Sequence, residues 1–153
     1  MDVNLICVGK IKEKYLEDGI SEYLKRIKAF CNLKIIEIKE SNFGETNKNL
    51  KEEAVLILNN IKKDDYVITL EIEGKMLTSV EMAQMIEKHT SYSSKTMTFV
   101  IGSSEGLSDE VKKRSDYKLS FSKMTFPHQL MRMIFLEQLY RAFSIINNKK
   151  YHK

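Results

Sequence analysis

Ser120-Phe-Ser-Lys-Met-Thr-Phe-Pro-His128 leads directly into a helix that is apolar on almost every face, Leu130 to Ile146, and then into a basic aromatic tail, Asn147-Asn-Lys-Lys-Tyr-His-Lys153. Pro127 is the chain's only proline. It fixes its own φ, suits the first turn of a helix and pushes Phe126 into an extended conformation, so a sharp turn from strand end to helix start is expected there. Backbone amides and carbonyls in such a loop are free to bind a ligand.

Upstream of this loop, apolar segments alternate between two periods. Val3 to Val8 reads as a buried strand ending at Gly9; Leu16, Ile20, Tyr23, Leu24, Ile27 and Phe30 then recur at helical spacing. Leu33 to Ile38 reads as a second strand, Ser41 to Lys48 as a polar loop, and Leu50, Ala54, Ile57, Leu58 and Ile61 as the stripe of a second helix. Tyr66 to Glu71 gives a third strand, stopping at Glu73-Gly74-Lys75. Thr78 and Glu81 form a capping box for a helix through Met82, Met85 and Ile86. Thr96 to Ile101 is a fourth strand, Gly102-Ser-Ser-Glu-Gly106 a glycine-bearing loop, Ser108 the cap of a short helix, and Tyr117 to Phe121 a fifth strand.

Five short strands interleaved with helices predict an α/β fold with a mainly parallel sheet flanked by helices on both faces. At 153 residues with 42% hydrophobic content, the chain fits a single domain, 1–153. Ligands of such sheets bind beyond the carboxyl ends of the strands, which singles out three loops: Glu71 to Lys75, Gly102 to Gly106 and Ser122 to Pro127. The last helix is too apolar for one sheet to bury, so it calls for a second surface: another copy of the chain or the centre of a monomer's core.

The remaining features narrow the chemistry. A net charge of +4 suits contact with RNA without demanding it. Cys7 and Cys31 lack metal-ligand spacing and read as packed, reduced thiols; no cluster has zinc spacing, so no metal is expected. The N-terminal apolar stretch is too short for a signal peptide, and no run approaches the ~20 residues needed to span a bilayer, so a cytoplasmic protein with no membrane partner is expected. The glycine loop is not a phosphate cradle, since Leu107-Ser108 stands where Lys-Ser/Thr would follow. It is either a tight turn or a close backbone approach to a bulky ligand.

His128 and Arg132 are one helical turn apart and can share a face. An imidazole titrates near neutrality and a guanidinium grips phosphates and carbonyls, so the pair can move a proton and hold an electron-rich group. A helix-start histidine satisfied by hydrogen bonds is the alternative. Tyr151-His152-Lys153 is either a frayed tail or an aromatic set between cations, the arrangement that stacks single-stranded RNA bases.

Val8-Gly-Lys10, Tyr66 to Gly74, Ile101 to Leu107, Leu119 to His128, Leu130-Met-Arg132, Glu137 to Ala142 and the terminal Tyr-His-Lys153 together closely resemble one family, along the whole chain. It is the small bacterial large-subunit rRNA pseudouridine methyltransferase of the α/β-knot (SPOUT) superfamily. The resemblance implies a C-terminal trefoil knot, a homodimer, and S-adenosyl-L-methionine held between three loops. By motif match its contacts fall on Leu70, Gly102, and Phe121, Ser122, Lys123, Met124, Thr125 and Phe126. It further implies methyl transfer to N3 of a pseudouridine in the assembled ribosome, with His128, Arg132, Tyr151 and His152 as catalytic candidates. The family often has Gly-Gly where this chain has Gly102-Ser103, and donor binding is expected to survive with a slight rearrangement. A methyltransferase of the same fold acting on another RNA, or a non-enzymatic ribosome-binding protein, would share parts of this pattern.

Overall fold

Alternation along the strands sorts their side chains between two differently covered faces. A computed structural model describes all 153 residues, Met1–Lys153. The elements run β1 (Asp2–Val8), α1 (Lys14–Ile27), β2 (Asn32–Ile38), α2 (Thr46–Asn59), β3 (Tyr66–Met76), α3 (Ser79–Tyr92), β4 (Met97–Ile101), α4 (Asp109–Arg114), β5 (Tyr117–Ser120) and α5 (His128–Ile146). Val3, Leu5 and Cys7 of β1 join Met97, Phe99 and Ile101 of β4 in one core, beneath residues of α1, α3 and α5. Ile6, Val8, Val67 and Val100 face the other way, toward Ala54 and Ile57 of α2 and Val111 of α4. This is the period-2 geometry of a strand buried on both faces.

The sheet has the order β2-β1-β4-β3-β5 and every pairing in it is parallel, more uniform than the mixed pattern the sequence allowed. Parallel neighbours require crossovers, and the helices supply them. The carboxyl ends of β1, β3, β4 and β5 therefore lie along one edge.

The third strand does not stop at Glu73–Lys75. It pairs with β5 up to Leu70, leaves the ladder from Glu71 to Gly74, and resumes with Lys75 opposite the same Leu119. A bulge of this kind re-aims the side chains it lifts out. Gly74 makes the return possible, because a Cβ there would stand 2.7 Å from the backbone carbon and oxygen of Lys118. Helix α1 also ends earlier than the apolar spacing implied: Phe30 lies beyond it and stacks on Phe143 of α5, ring centroids 5.7 Å apart and 7° from parallel.

Helix α5 packs between α1 and α3 over the sheet. Phe135, Leu136, Leu139 and Ala142 are buried, with Phe135 set against Phe99 at 4.7 Å between ring centroids. Leu130, Met133, Ile134, Ile145 and Ile146 are only half-buried. The sheet and two helices thus cover most of the apolar circumference and leave a strip of it in contact with solvent.

Candidate active site

The loops at the carboxyl ends of β3, β4 and β5 enclose one cavity of about 740 Å³, within the range of small-molecule sites. Leu70 and the lifted residues Glu71, Ile72 and Glu73 form one wall. Gly102, Ser103, Ser104 and Gly106 form the second, and Phe121, Ser122, Met124, Thr125, Phe126 and Pro127 the third, with His128 at the start of α5. Each wall follows from a local feature of the sequence.

The first wall exists because β3 bulges. The second is a closed turn: Gly106 donates its N–H to the Ser103 carbonyl at 2.9 Å and has φ +88°, the left-handed conformation that favours glycine. A Cβ on Gly102 would collide with the Gly106 carbonyl oxygen and come within 2.8 Å of its carbon. The third wall is tied by serines. Ser120 donates its hydroxyl to the Ser122 carbonyl at 3.1 Å, and the Met124 amide donates to the Ser122 hydroxyl at 2.9 Å. Pro127 is the residue just outside α5, with φ −53° and ψ 133°, and carries no capping side chain. The first amides of α5 therefore lack a side-chain partner.

Seven of the eight expected donor contacts line this cavity; Lys123 is exposed and does not. Residues the spacing did not single out also line it. Glu71 is the clearest: its carboxylate accepts from the Thr69 hydroxyl at 2.6 Å and faces Lys112 of α4 at 4.0 Å. The strand-end rule pointed to the right loop, but only the bulge turns this carboxylate inward.

Arg132 shares the helix with His128 but not the cavity. Its side chain is 4% exposed, ion-paired with Glu37 of β2 at 2.7 Å, and it donates to the Gly9 carbonyl at 3.0 Å. It clamps the ends of β1 and β2 under α5 and offers no free face to a phosphate. Gly9, at φ +97°, brings the backbone against His128: a Cβ there would lie 3.1 Å from the imidazole Nε2. So His128 rests on the β1 turn that Arg132 holds.

This arrangement predicts unequal costs for its two partners. Glu37→Ala strands a buried guanidinium, and because Glu37 is 44% exposed water relieves part of the loss, leaving about 1–2 kcal/mol. Arg132→Met removes the charge but keeps apolar volume, and should cost less than about 1 kcal/mol. Urea unfolding of the two variants checks the order; the reverse order contradicts the clamp.

The tail lies elsewhere. Tyr151 donates its hydroxyl to Glu137 at 3.1 Å and packs edge-on against Tyr140, centroids 4.7 Å apart, with the Arg141 guanidinium over its ring. His152 Nδ1 lies 3.1 Å from the same Arg141. Burial, with help from Tyr23 and Glu137, pushes the Tyr151 phenol up to about 12. In this position it is a hydrogen-bond donor at neutral pH, not a base. Tyr140 and His128 are separated by roughly 18 Å along α5 at about 1.5 Å per residue, so the tail and the cavity of one chain are apart.

Nucleophilic thiol chemistry has no place here. Desolvation raises Cys7 to about 12 and Cys31 to about 11, so both stay protonated near neutrality. No three His, Cys, Asp or Glu side chains gather to hold a metal ion, and no helix is long and apolar enough to cross a membrane.

Comparison with known proteins gives this cavity its family. A family profile described as "Predicted SPOUT methyltransferase" matches residues 1–152. The chain belongs to the SPOUT methyltransferases. Proteins named "Ribosomal RNA large subunit methyltransferase H" from Finegoldia magna, Bacillus pumilus and Carboxydothermus hydrogenoformans are 51%, 48% and 47% identical to it, each over 100% of both chains. Two solved structures share the fold at low identity. One is a probable methylase family protein from Haemophilus influenzae, with TM-score 0.55 and 19% identity over 99% of this chain and 70% of that one. The other is a probable methyltransferase from Bordetella pertussis, with TM-score 0.52 and 11% identity over 92% and 93%. In this SPOUT methyltransferase the cavity at the strand ends is the place for the chemistry.

Proposed function

We propose that this SPOUT methyltransferase moves a methyl group from S-adenosyl-L-methionine to N3 of a pseudouridine in large-subunit rRNA, working as a cytoplasmic homodimer on the assembled ribosome. The observation that carries the reading is the cavity walled by three strand-end loops, with His128 beside it, in a chain whose full-length relatives are named as large-subunit rRNA methyltransferases. The C-terminal trefoil knot belongs to the same proposal.

The residues present fit the donor. Leu70, Ile101, Leu107, Leu119 and Phe126 offer apolar walls to an adenine, and the backbone of Gly102 and of Phe121 to Phe126 supplies edges for hydrogen bonds. Glu71 and Glu73 on one wall suit a ligand that carries positive charge. When bound, S-adenosylmethionine supplies a methyl group on a sulfonium, activated for transfer without a metal.

The imide nitrogen of the base lies between two carbonyls and carries a proton. That proton must leave, and the charge shifting onto the flanking oxygens must be offset. His128 stands where it can take a proton or hold a carbonyl, kept in place by the β1 turn. Arg132 serves by holding that turn. Tyr151 and His152 cannot reach their own cavity, so in this proposal Tyr151 and His152 of the partner subunit complete it, Tyr151 donating a hydrogen bond to a base carbonyl. The half-buried strip of α5, including Met133 and Ile134, is the surface for that pairing. Positioning of methyl and nitrogen in line supplies much of the remaining acceleration.

Tritiated methyl transfer tests the reading. Whole ribosomes should accept label and free rRNA should not, with the label mapping to N3 of a single pseudouridine. Label on another base, or on transfer RNA, would point to a different substrate for the same fold.

A further inference from the structure

The face that α2 turns toward the sheet is not purely apolar. Asn49 and Glu53, one turn apart on that helix, are 5% and 2% exposed, beside the core residues Ala54 and Ile57. Burying a carboxyl is unfavourable unless it is bonded, and nothing in the packing of this helix requires one. Both side chains instead bind loops. Glu53 Oε2 accepts the Ser41 amide at 3.0 Å, and Asn49 Oδ1 accepts the Phe43 amide at 2.7 Å. The Asn49 amide group donates to Glu105 Oε1 at 3.0 Å, within the glycine turn.

Glu53 Oε1 is fully buried and has no hydrogen-bond partner. The neighbouring donor is the Ser103 hydroxyl, which lies close enough to the carboxyl to favour its charged form against the larger effect of burial. Ser103 is 8% exposed, lines the donor cavity, and already accepts the Glu105 amide on its Oγ at 3.3 Å. Its hydroxyl hydrogen is therefore the group left to donate to Glu53. A turn of five residues at the cavity wall is thus gripped from behind at both Ser103 and Glu105.

We propose that Glu53, with Asn49, is a positioning residue for donor binding: it fixes the Gly102–Gly106 turn through Ser103, and Ser103 is the side chain that couples this chain's cavity to α2. The inference rests on the reading of the cavity as the S-adenosylmethionine site. Glu53 never touches the donor; it keeps the turn's backbone edges where the donor meets them. A glutamine has the same shape, accepts the Ser41 amide through its oxygen and can satisfy Ser103 with its amide group, whereas an alanine can do neither.

Calorimetric titration with S-adenosylmethionine and amide hydrogen exchange, both on the full-length protein, test this. Glu53→Ala should weaken donor binding about tenfold, the loss expected of one buried hydrogen bond to a charged group. It should also speed exchange in the Gly102–Gly106 turn, while turnover at saturating donor stays within about twofold. Glu53→Gln should restore binding to within about threefold. Ser103→Ala should weaken binding in the wild-type background and add nothing to Glu53→Ala. A folded Glu53→Ala protein that binds donor as tightly as wild type overturns the proposal, as do additive effects of the two sites. If Glu53→Ala does not fold, Glu53→Gln combined with Ser103→Ala decides on the same criterion of additivity. Failure of the wild-type protein to bind the donor at all would overturn the cavity reading, and this inference with it; normal wild-type binding with an indifferent Glu53→Ala would overturn this inference alone.

Discussion

Deletion of Tyr151 to Lys153 is expected to lower methyl transfer to ribosomes about a thousandfold while leaving S-adenosylmethionine affinity within about twofold of wild type. The separation of effects comes from geometry. The tail is held by Glu137, Tyr140 and Arg141 near the far end of α5, and none of the donor walls includes a residue beyond Met131. Removing it cannot disturb the donor cavity of the same chain. It does remove a phenol that burial keeps protonated and an imidazole beside it, the groups assigned to the base in the partner's site. Some stability is lost too, since the Tyr151 ring packs edge-on against Tyr140; an aromatic pair of this kind contributes about 0.5–1.5 kcal/mol. Sedimentation should still find a dimer. Mixing the truncated chain with a full-length chain whose own cavity is blocked should recover part of the activity, because one intact site can then form across the pair. No recovery, with heterodimers present, would place the tail's action within one chain.

Gly102→Val is the second large effect, and it should strike the donor rather than the base. A side chain at this position meets the Gly106 carbonyl oxygen and carbon and the Leu107 methyl 2.9 Å away, so the turn must open. Forcing atoms into a closed contact costs about 1–3 kcal/mol in stability, and the opened turn moves Ser103 and Gly106 toward the space the donor needs. Donor affinity should fall roughly a hundredfold or more, equivalent to about 2.7 kcal/mol. Titration of the purified variant measures it. A Gly102→Val protein that retains wild-type affinity would show that the donor does not lie against this turn.

The sequence disclosed the parts of the fold that rest on local periodicity. Strand alternation, the Thr78–Glu81 capping box and the apolar stripe of α1 each depend on neighbours a few residues away, and each appears where the spacing put it. The loops at the strand ends were legible for the same reason: a rule of topology applies once the strands are known. What the sequence hid depends on contacts between distant segments. The bulge at Glu71 to Gly74 arises because β3 pairs with β5 on both sides of it, and a polar run of Glu, Ile, Glu and Gly reads as a strand's end. The spacing of His128 and Arg132 placed them on one face, but the length of an arginine carries its guanidinium to Gly9 and Glu37, far away in the chain. On α2 the buried face includes Asn49 and Glu53, while Leu50 and Leu58, part of the apolar stripe, are only half-buried. Polar residues on a helix read as solvated, and nothing local marks them as anchors for two loops.

The direct test of the central claim is a crystal structure of the dimer grown with S-adenosylmethionine. The donor should lie against Leu70, the Gly102–Gly106 turn and the Phe121–Phe126 loop, with Tyr151 of the partner subunit turned toward the open side of that cavity. A donor bound at any other surface, or a monomer with the cavity empty at saturating donor, would contradict it.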